Sequence, residues 1–278
     1  MERRAGCGAP RPLASARTLA AVTPTVYSEV DAEASAVFAE HGWILTRSID
    51  HAGAAQLQAW VDEIMAWPDD GDHLHYRERT DSGPRLCRTE NFVPFHADLR
   101  ALLTTGAMVD AASALLGEPA VLYKEKIKYK AAGGAGYAPH QDAPAYRFVE
   151  RHVSCMVAVD AADASNGCLE VVSGMHHAVL PMDDEGCIRA EVVTSMDWET
   201  VPVRSGTTLW FHSRTPHRSG PNASNRDRRA LYPTYNARRE GDLREAYYRQ
   251  KLTEFAAAEV DGSRVQVSLI NDFQGRPA

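Results

Sequence analysis

The sequence predicts a mainly β protein with flanking helices, of the sandwich or jelly-roll class. From residue 120 onward, short runs of β-forming residues alternate with glycine-containing turns, as in sandwiches and barrels. Before residue 117, apolar residues instead recur at helical spacing. With 278 residues, 44% of them hydrophobic, the chain is long enough to bury the core of one such domain.

The chain before residue 120 is predicted to supply helices that brace a sheet. Residues 28–67 show a helical pattern, then a short extended run, then a second helical pattern. Residues 69–92 are polar and contain Asp-Gly and Ser-Gly-Pro turns, which predicts a long loop. Residues 98–116 predict one helix, which Gly117 ends.

The second half of the chain carries the predicted strands. Turn signals such as Gly-Gly, Asn-Gly and Ser-Gly separate them. The strand-forming runs cover residues 121–130, 152–160, 168–173, 188–193, 200–203, 206–212 and 229–236. Residues 241–257 are predicted to form a closing helix.

Charge and cysteine content limit the classes of partner and compartment. Lys and Arg number 30 against 37 Asp and Glu, a net charge of −7, so no global positive field attracts nucleic acid or an anionic membrane. The cysteines are widely spaced and form no C-x-x-C pair, which favours a reducing, cytoplasmic setting. No stretch approaches the ~18 uninterrupted apolar residues that indicate a membrane span.

The N-terminus differs in composition from the rest. Residues 1–25 are rich in Arg, Ala, Pro and Gly and poor in acids, a composition shared by flexible tails and by transit sequences. Pro10 and Pro12 interrupt an amphipathic helix, which favours the tail. We therefore expect a flexible segment over 1–25 and a single domain over 26–278.

A His-x-Asp motif forms the first part of a candidate metal site. In an extended segment alternate side chains share one face, so His140 and Asp142 project together. A second copy at residues 96–98 opens a predicted helix, where positions two apart lie on different faces. There we interpret Asp98 as a helix cap and His96 as a surface or packing residue.

The third ligand is expected from a distant strand, where His212 and His217 are the candidates. His217 is favoured because residues 216–222 leave a strand edge, where a side chain can face an open cavity. Two histidines and one carboxylate form the facial triad of non-haem iron(II) oxygenases. A zinc hydrolase also uses two histidines and an acid, so the ligand set alone leaves both classes open.

The sequence resembles the phytanoyl-CoA dioxygenase-like family over about residues 30–240. Several short motifs match this family together, in order and in spacing, which is far more specific than any one of them. The matching segments are Phe38 to Leu45, Arg88-Thr89-Glu90-Asn91-Phe92, His140-Gln141-Asp142, Asn166-Gly167-Cys168-Leu169-Glu170, Ser173-Gly174-Met175-His176 and His217-Arg218-Ser219-Gly220-Pro221-Asn222.

This resemblance implies a fold, a metal and a reaction. The fold would be a double-stranded β-helix, a cupin-like jelly roll with helices outside and the metal at its mouth. The enzyme would use Fe(II), 2-oxoglutarate as co-substrate and O2 to hydroxylate a small molecule, with release of succinate and CO2. Halogenating relatives have a small residue in place of Asp142, so its presence implies hydroxylation or a related oxidation.

The resemblance also implies a site for 2-oxoglutarate. In the family its far carboxylate meets an arginine and a nearby serine, which correspond here to Arg228 and Ser219. A guanidinium suits this role because its fork offers two parallel hydrogen bonds to a carboxylate. Arg226 and Arg229 are competing candidates.

Arg88 and Lys126 are expected near 2-oxoglutarate by the same resemblance. Lys126 belongs to residues 123–130, where lysines alternate with aromatic and aliphatic residues. Two orientations are open. Either the lysines face water and their neighbours face the core, or some lysines face into the barrel while Tyr123, Ile127 and Tyr129 pack on the helices.

The substrate is not fixed by the sequence, because this fold and triad serve many substrates. Basic residues at 79, 85, 88, 124 and 128 suit a small anion such as an aminophosphonate, and a natural-product intermediate is the alternative. A CoA thioester is less favoured because no separate basic patch is visible. The rival classes are a non-catalytic metabolite-binding jelly roll and a metal-dependent hydrolase.

Overall fold

The computed structural model describes residues 24–146, 149–261, 267–268 and 270–278. Residues 1–23, most of the expected tail, lie outside these ranges, and the predicted division into tail and single domain stays a prediction. The helices are α1 (Ala32–His41), α2 (His51–Met65), α3 (Ala97–Thr104), α4 (Ala107–Leu116), α5 (Ala190–Val193) and α6 (Arg244–Asp261).

The strands are short and form two sheets. The strands of the first half are β1 (Val26–Tyr27), β2 (Trp43–Thr46), β3 (Leu74–Thr80), β4 (Gly83–Glu90), β5 (Ala120–Lys124), β6 (Lys126–Lys130) and β7 (Tyr137–His140). Those of the second half are β8 (His152–Ala158), β9 (Leu169–Val171), β10 (Glu199–Val201), β11 (Thr208–His212), β12 (His217–Ser219), β13 (Arg228–Leu231) and β14 (Thr234–Ala237).

The sheet order confirms the predicted jelly roll. A ten-stranded sheet runs β1-β2-β11-β8-β13-β6-β4-β3, with β14 pairing β8 and β5, and a four-stranded sheet runs β10-β9-β12-β7. Apolar side chains of both sheets share one core cluster, for example Met156 and Leu209 of the large sheet with Leu169 and Val201 of the small one. One end of the space between the sheets is therefore closed by apolar packing.

A second core lies between the large sheet and the helices. Ile127 and Tyr129 of β6 belong to the same buried cluster as Leu57 of α2 and Leu99 of α3. Because side chains alternate along a strand, Lys126, Lys128 and Lys130 face away from the helices. The second of the two expected orientations is therefore the one found for β6.

Three predicted elements were wrong. Residues 69–92 contain the β3–β4 hairpin and not only a loop. Residues 188–193 include the short helix α5 and not a strand. The predicted helix 98–116 is two helices, because Thr105 and Gly106 interrupt it, and Gly106 has φ +61°.

Residues 97–116 are long and apolar enough to cross a membrane by length and composition alone. The interruption at Gly106 divides them into α3 and α4, and each helix buries a face in the core. Leu99 and Leu103 of α3 are fully buried, as is Ala112 of α4. Core packing accounts for part of this apolar character, since 28% of the most apolar 18-residue stretch is buried inside the protein.

Helix α2 provides a stability prediction. Asp50 caps it, since its side chain accepts a hydrogen bond from the Gly53 backbone N–H at 2.8 Å. We expect Asp50→Ala to lower the free energy of unfolding by about 1 kcal/mol, because a backbone donor loses its partner. Urea denaturation measures this, with Asp50→Asn as the capping control. An Ala variant as stable as the Asn variant would contradict the assignment.

Candidate active site

Strand pairing brings the predicted metal ligands together. His140 ends β7 and His217 begins β12, and the two residues are direct cross-strand partners. Asp142 follows β7 at the start of a short 3-10 turn. The antiparallel pairing of β7 with β12 therefore places His140 beside His217, although the two residues are far apart in the sequence.

The three side chains form a compact set of donor atoms. One ligand atom from each of His140, Asp142 and His217 lies within 4.8 Å of the others. Asp142 Oδ1 is 4.0 Å from His140 Nε2 and 3.9 Å from His217 Nε2. Among the residues that the structure describes, this is the group of acids, histidines and cysteines with the spacing of a metal site. Two imidazoles and one carboxylate are the donor set that suits non-haem iron.

Hydrogen bonds behind the three side chains fix their orientation. His140 Nδ1 lies 2.7 Å from the Ala138 carbonyl oxygen, and His217 Nδ1 lies 3.1 Å from that of Thr215. A carbonyl only accepts, so each Nδ1 carries the proton and each Nε2 presents a lone pair to the centre. Ser154 Oγ donates to Asp142 Oδ2 at 2.5 Å and holds the carboxylate in the same way.

The protonation states also suit a cation. Burial lowers the pKa of His217 to about 3, with a further contribution from His140, so this imidazole is neutral near pH 7. Burial alone would raise the pKa of Asp142, but the neighbouring imidazoles, the Lys126 ammonium and the Ser154 hydroxyl outweigh it and lower the pKa below its ordinary value. The neutral His217 imidazole and the ionised Asp142 carboxylate can both donate electron pairs to a cation.

The alternative motif residues have other positions. His96 caps α3 by accepting a hydrogen bond from the Leu99 N–H at 3.2 Å, so the expectation that Asp98 is the cap was wrong. His212 lies on β11, with its ring centroid 5.2 Å from that of His176. Neither histidine belongs to the set of close donor atoms.

Arg228 and Ser219 line one small cavity, which we call the Arg228 cavity. Its polar and aromatic lining includes Lys128, Lys130, Tyr137, Ser219, Arg228 and Tyr232. Arg228 is 2% exposed and donates to the Gly167 carbonyl oxygen, and its Nε finds no hydrogen-bond partner among the described residues. Arg229, a competing candidate, is instead paired with Asp160 and Asp62.

Lys130 is a cavity residue that the sequence reasoning did not single out. Its ammonium donates to Ser219 Oγ at 2.9 Å, and it is the cross-strand partner of Arg228. Burial, with Arg228 adding to it, lowers the pKa of Lys130 to about 6. The only sequence signal for Lys130 was the alternation of lysines along β6. That pattern is equally compatible with lysines facing water and with lysines facing the barrel interior.

Arg88 and Lys126 line a different cavity, the Lys124 cavity, which also contains His140 and Asp142. Its remaining polar residues are Glu90, Lys124, Tyr146, Tyr247, Lys251, Ser268 and Asp272. The structure therefore separates the four residues expected near 2-oxoglutarate into two pairs. Arg228 and Ser219 lie in one cavity, and Arg88 and Lys126 lie in the other.

The Lys124 cavity holds more positive than negative side chains. Glu90 serves two cations, since its carboxylate lies 3.1 Å from Arg88 Nη1 and 3.5 Å from Lys251 Nζ. Lys124 and Lys126 have no carboxylate within 4.0 Å among the described residues, and Lys124 Nζ instead lies 4.1 Å from the Tyr146 ring centroid. Arg88 is 2% exposed, yet its Nε and Nη2 find no partner in the described chain.

Strand pairing also places positively charged residues directly opposite one another. Arg88 lies directly opposite Lys128 on β4 and β6, and Lys130 lies opposite Arg228 on β6 and β13. Like charges at directly opposite positions destabilise a sheet. Buried cations without partners are also costly. The interior of this barrel is therefore arranged for anionic ligands.

Comparison with known proteins gives a family and a set of relatives. The family model for phytanoyl-CoA dioxygenase (PhyH) matches residues 38–230. The chain is 49% identical to a methylphosphonate hydroxylase of Gimesia maris, over 84% of this chain and 91% of that protein. It is 37% identical to a 2-aminoethylphosphonate dioxygenase of an uncultured bacterium, over 74% of this chain and 81% of that protein.

Solved structures support the fold. EctD from S. alaskensis, solved with 2-oxoglutarate and 5-hydroxyectoine, superposes with a TM-score of 0.68 at 20% identity. The superposition covers 92% of this chain and 90% of that one. At this level of identity the likeness establishes the shared jelly roll.

Proposed function

The chain belongs to the phytanoyl-CoA dioxygenase (PhyH) family of non-haem iron oxygenases, and from this premise we propose that it hydroxylates a small phosphonate. The enzyme uses Fe(II), 2-oxoglutarate and O2. The substrate class, the roles of individual residues and a cytoplasmic location are parts of the proposal. The single observation that carries the substrate class is the excess of buried cations in the Lys124 cavity.

His140, Asp142 and His217 hold the iron. Their donor atoms, tautomers and charges fit a divalent cation, as described above. When bound, the iron supplies the oxidising chemistry that the amino acids cannot provide. The protein contributes a rigid triad with open coordination positions, because backbone carbonyls and the Ser154 hydroxyl fix its three members.

The Arg228 cavity binds 2-oxoglutarate. The Arg228 guanidinium receives the far carboxylate, and Ser219 and Lys130 donate to the same group. The support is that these three side chains are buried together and that Ser219 lies two residues after His217 on β12. Charge-assisted hydrogen bonds of this kind are stronger than neutral ones.

The Lys124 cavity binds the phosphonate. Four basic side chains, Lys124, Lys126, Lys251 and Arg88, line it with three carboxylates. Glu90 is paired with Arg88 and Lys251, Asp142 belongs to the metal set, and Asp272 lies beside His140. Burial lowers the pKa of Lys124 and Lys126, and a bound anion would favour their charged forms. A phosphonate dianion offers three acceptor oxygens and enough charge for the remaining cations. Because His140 and Asp142 line the same cavity, an anion held there has its carbon beside the metal.

The known relatives favour a small substrate. The two relatives described above act, by name, on methylphosphonate and on 2-aminoethylphosphonate.

Succinate release tests this function. The protein is loaded with Fe(II) and supplied with 2-oxoglutarate and O2, together with methylphosphonate, 2-aminoethylphosphonate, or their sulfonate and carboxylate analogues. We expect succinate release to rise with a phosphonate and to stay near background with the analogues. Equal stimulation by the analogues would overturn the substrate class. A metal-dependent hydrolase would release no succinate, and a non-catalytic binding protein would change nothing.

The low pKa of Lys130 leads to a pH prediction. At about pH 6 half of the lysine is charged, and the charged form is the one that a carboxylate stabilises. Binding of 2-oxoglutarate should therefore take up a proton, and its KM should rise by up to about tenfold per unit as pH increases from about 6 to about 8. Arg228 disfavours this charge and Glu78 favours it.

The measurement is KM for 2-oxoglutarate as a function of pH, with calorimetry in two buffers to count protons. Lys130→Met is the control, because it keeps the volume and removes the titrating group. The variant should bind 2-oxoglutarate more weakly and with a flatter pH profile. Identical profiles for the two proteins would contradict the role given to Lys130.

A further inference from the structure

Asp272 is a buried carboxylate beside the metal centre that the proposed function leaves without a role. It is 3% exposed, and its Oδ2 lies 3.3 Å from Nε2 of His140, the nitrogen that faces the metal position. Its Oδ1 has no hydrogen-bond partner among the described residues. The carboxylate also lines the Lys124 cavity.

Backbone pairing sets the position of Asp272. The Ala138 N–H donates to the Asp272 carbonyl oxygen at 2.7 Å, and the Gln274 N–H donates to that of Gly136 at 3.1 Å. Tyr137 and Phe273 form an antiparallel bridge. The C-terminal segment is thus paired with β7, the strand that ends in His140, and this backbone pairing holds Asp272 in place while its Oδ1 stays without a hydrogen-bond partner among the described residues.

The cations of the cavity do not account for this carboxylate. No lysine or arginine nitrogen of the described chain lies within 4.0 Å of this carboxylate, and the side chain that it meets within that distance is the imidazole of His140. A buried carboxylate with an unpartnered oxygen is costly unless a hydrogen-bond donor or a cation satisfies that oxygen.

Asp272 is also not a fourth member of the ligand set. The group of donor atoms that lie within 4.8 Å of one another in the described chain consists of His140, Asp142 and His217. The carboxylate is close to one of these ligands and outside the common group. This is the position of a residue that contacts something bound on the metal and does not itself bind the metal.

We propose that Asp272 is a positioning residue of the metal centre, whose carboxylate accepts a hydrogen bond from a water molecule bound on the metal next to His140. This rests on the proposed metal site. The bound water gives Asp272 Oδ1 the donor that the protein does not supply. In return, the negative charge strengthens binding of a divalent cation. Outer residues of this kind contribute about 10- to 100-fold to metal affinity.

Titration of the metal-free protein with Co(II) tests the proposal without turnover. Binding is followed by calorimetry and by the visible absorption of the bound ion. We expect Asp272→Asn to bind Co(II) about 10- to 100-fold more weakly than the wild type, with an altered spectrum. The matched control is Asp69→Asn, which removes one negative charge from an exposed ion pair with Arg77.

A second variant separates this role from a structural one. Asp272→Glu keeps the charge but changes the length, so its Co(II) affinity should lie between those of the wild type and the Asn variant. If both variants bind Co(II) as Asp69→Asn does, the proposal is overturned. If Asp272→Glu binds as weakly as Asp272→Asn, and both metal-free variants melt below the wild type, the residue is structural and the proposal is also overturned.

His217→Ala distinguishes failure of this proposal from failure of the metal site. It should lose Co(II) binding almost entirely, whatever Asp272 does. Unchanged Co(II) binding by His217→Ala would reject the metal site itself. Loss of binding by His217→Ala with no effect of Asp272→Asn would reject only the role of Asp272.

Discussion

Replacing Asp142 by Ala is expected to abolish oxygen-dependent succinate formation. Asp142 is the only carboxylate of the proposed triad, so the variant leaves two imidazoles to hold a divalent ion. A bound metal supplies several kcal/mol of stabilisation to a reaction. Since about 1.4 kcal/mol is a factor of ten, kcat/KM should fall by on the order of a thousandfold or more. Succinate release at saturating Fe(II) is the measurement.

The chain contains its own control for this experiment. Asp98 belongs to the second His-x-Asp motif, lies in the first turn of α3 and has no part in the proposed triad. Asp98→Ala should retain the activity of the wild type. Activity of Asp142→Ala within a few fold of that of Asp98→Ala would show that the metal is held elsewhere.

Removing positive charge from the Lys124 cavity is the second large effect. We expect Lys124→Met with Lys126→Met to lower kcat/KM for the phosphonate by two to four powers of ten. Each ammonium contributes a hydrogen bond to a charged group, worth about 1.5–3 kcal/mol, and two such bonds are lost. Methionine keeps the volume of the side chain. Because it removes a buried charge without a carboxylate partner, thermal stability should be unchanged or raised.

The contrast with Lys130→Met makes this test specific. Lys126 and Lys130 lie on the same strand, but the first lines the Lys124 cavity and the second lines the Arg228 cavity. Lys126→Met should raise KM for the phosphonate, and Lys130→Met should raise KM for 2-oxoglutarate. If Lys126→Met instead raised KM for 2-oxoglutarate and Lys130→Met raised KM for the phosphonate, Lys126 would belong to the 2-oxoglutarate site, as the family resemblance implied.

The triad was predictable from the sequence because it rests on local geometry and ordered motifs. The expected local geometry was only partly right, because β7 ends at His140 and Asp142 has helical backbone angles at the start of a 3-10 turn. The structure adds the register that makes His140 and His217 cross-strand partners. A pairing between positions so far apart in the chain is set by the whole sheet and has no local signature.

Several features that escaped prediction lie in the barrel interior, where polar and charged side chains occupy buried positions. The β3–β4 hairpin looked like a loop because Glu78, Arg88 and Glu90 occupy buried positions that normally carry apolar residues. The lysines of β6 alternate with period two, which fits an interior or an exterior face equally. Asp272 belongs to no motif, and only its backbone pairing with β7 places it at the site.

Phosphorus NMR of the complete reaction tests the central claim most directly. With Fe(II), 2-oxoglutarate, O2 and methylphosphonate, the resonance of the substrate should be replaced by that of hydroxymethylphosphonate, in an amount equal to the succinate formed. The conversion should require O2 and be absent with Asp142→Ala. Succinate formed without any change in the phosphonate resonance, with methylphosphonate or with 2-aminoethylphosphonate, would contradict the assignment of a phosphonate as substrate.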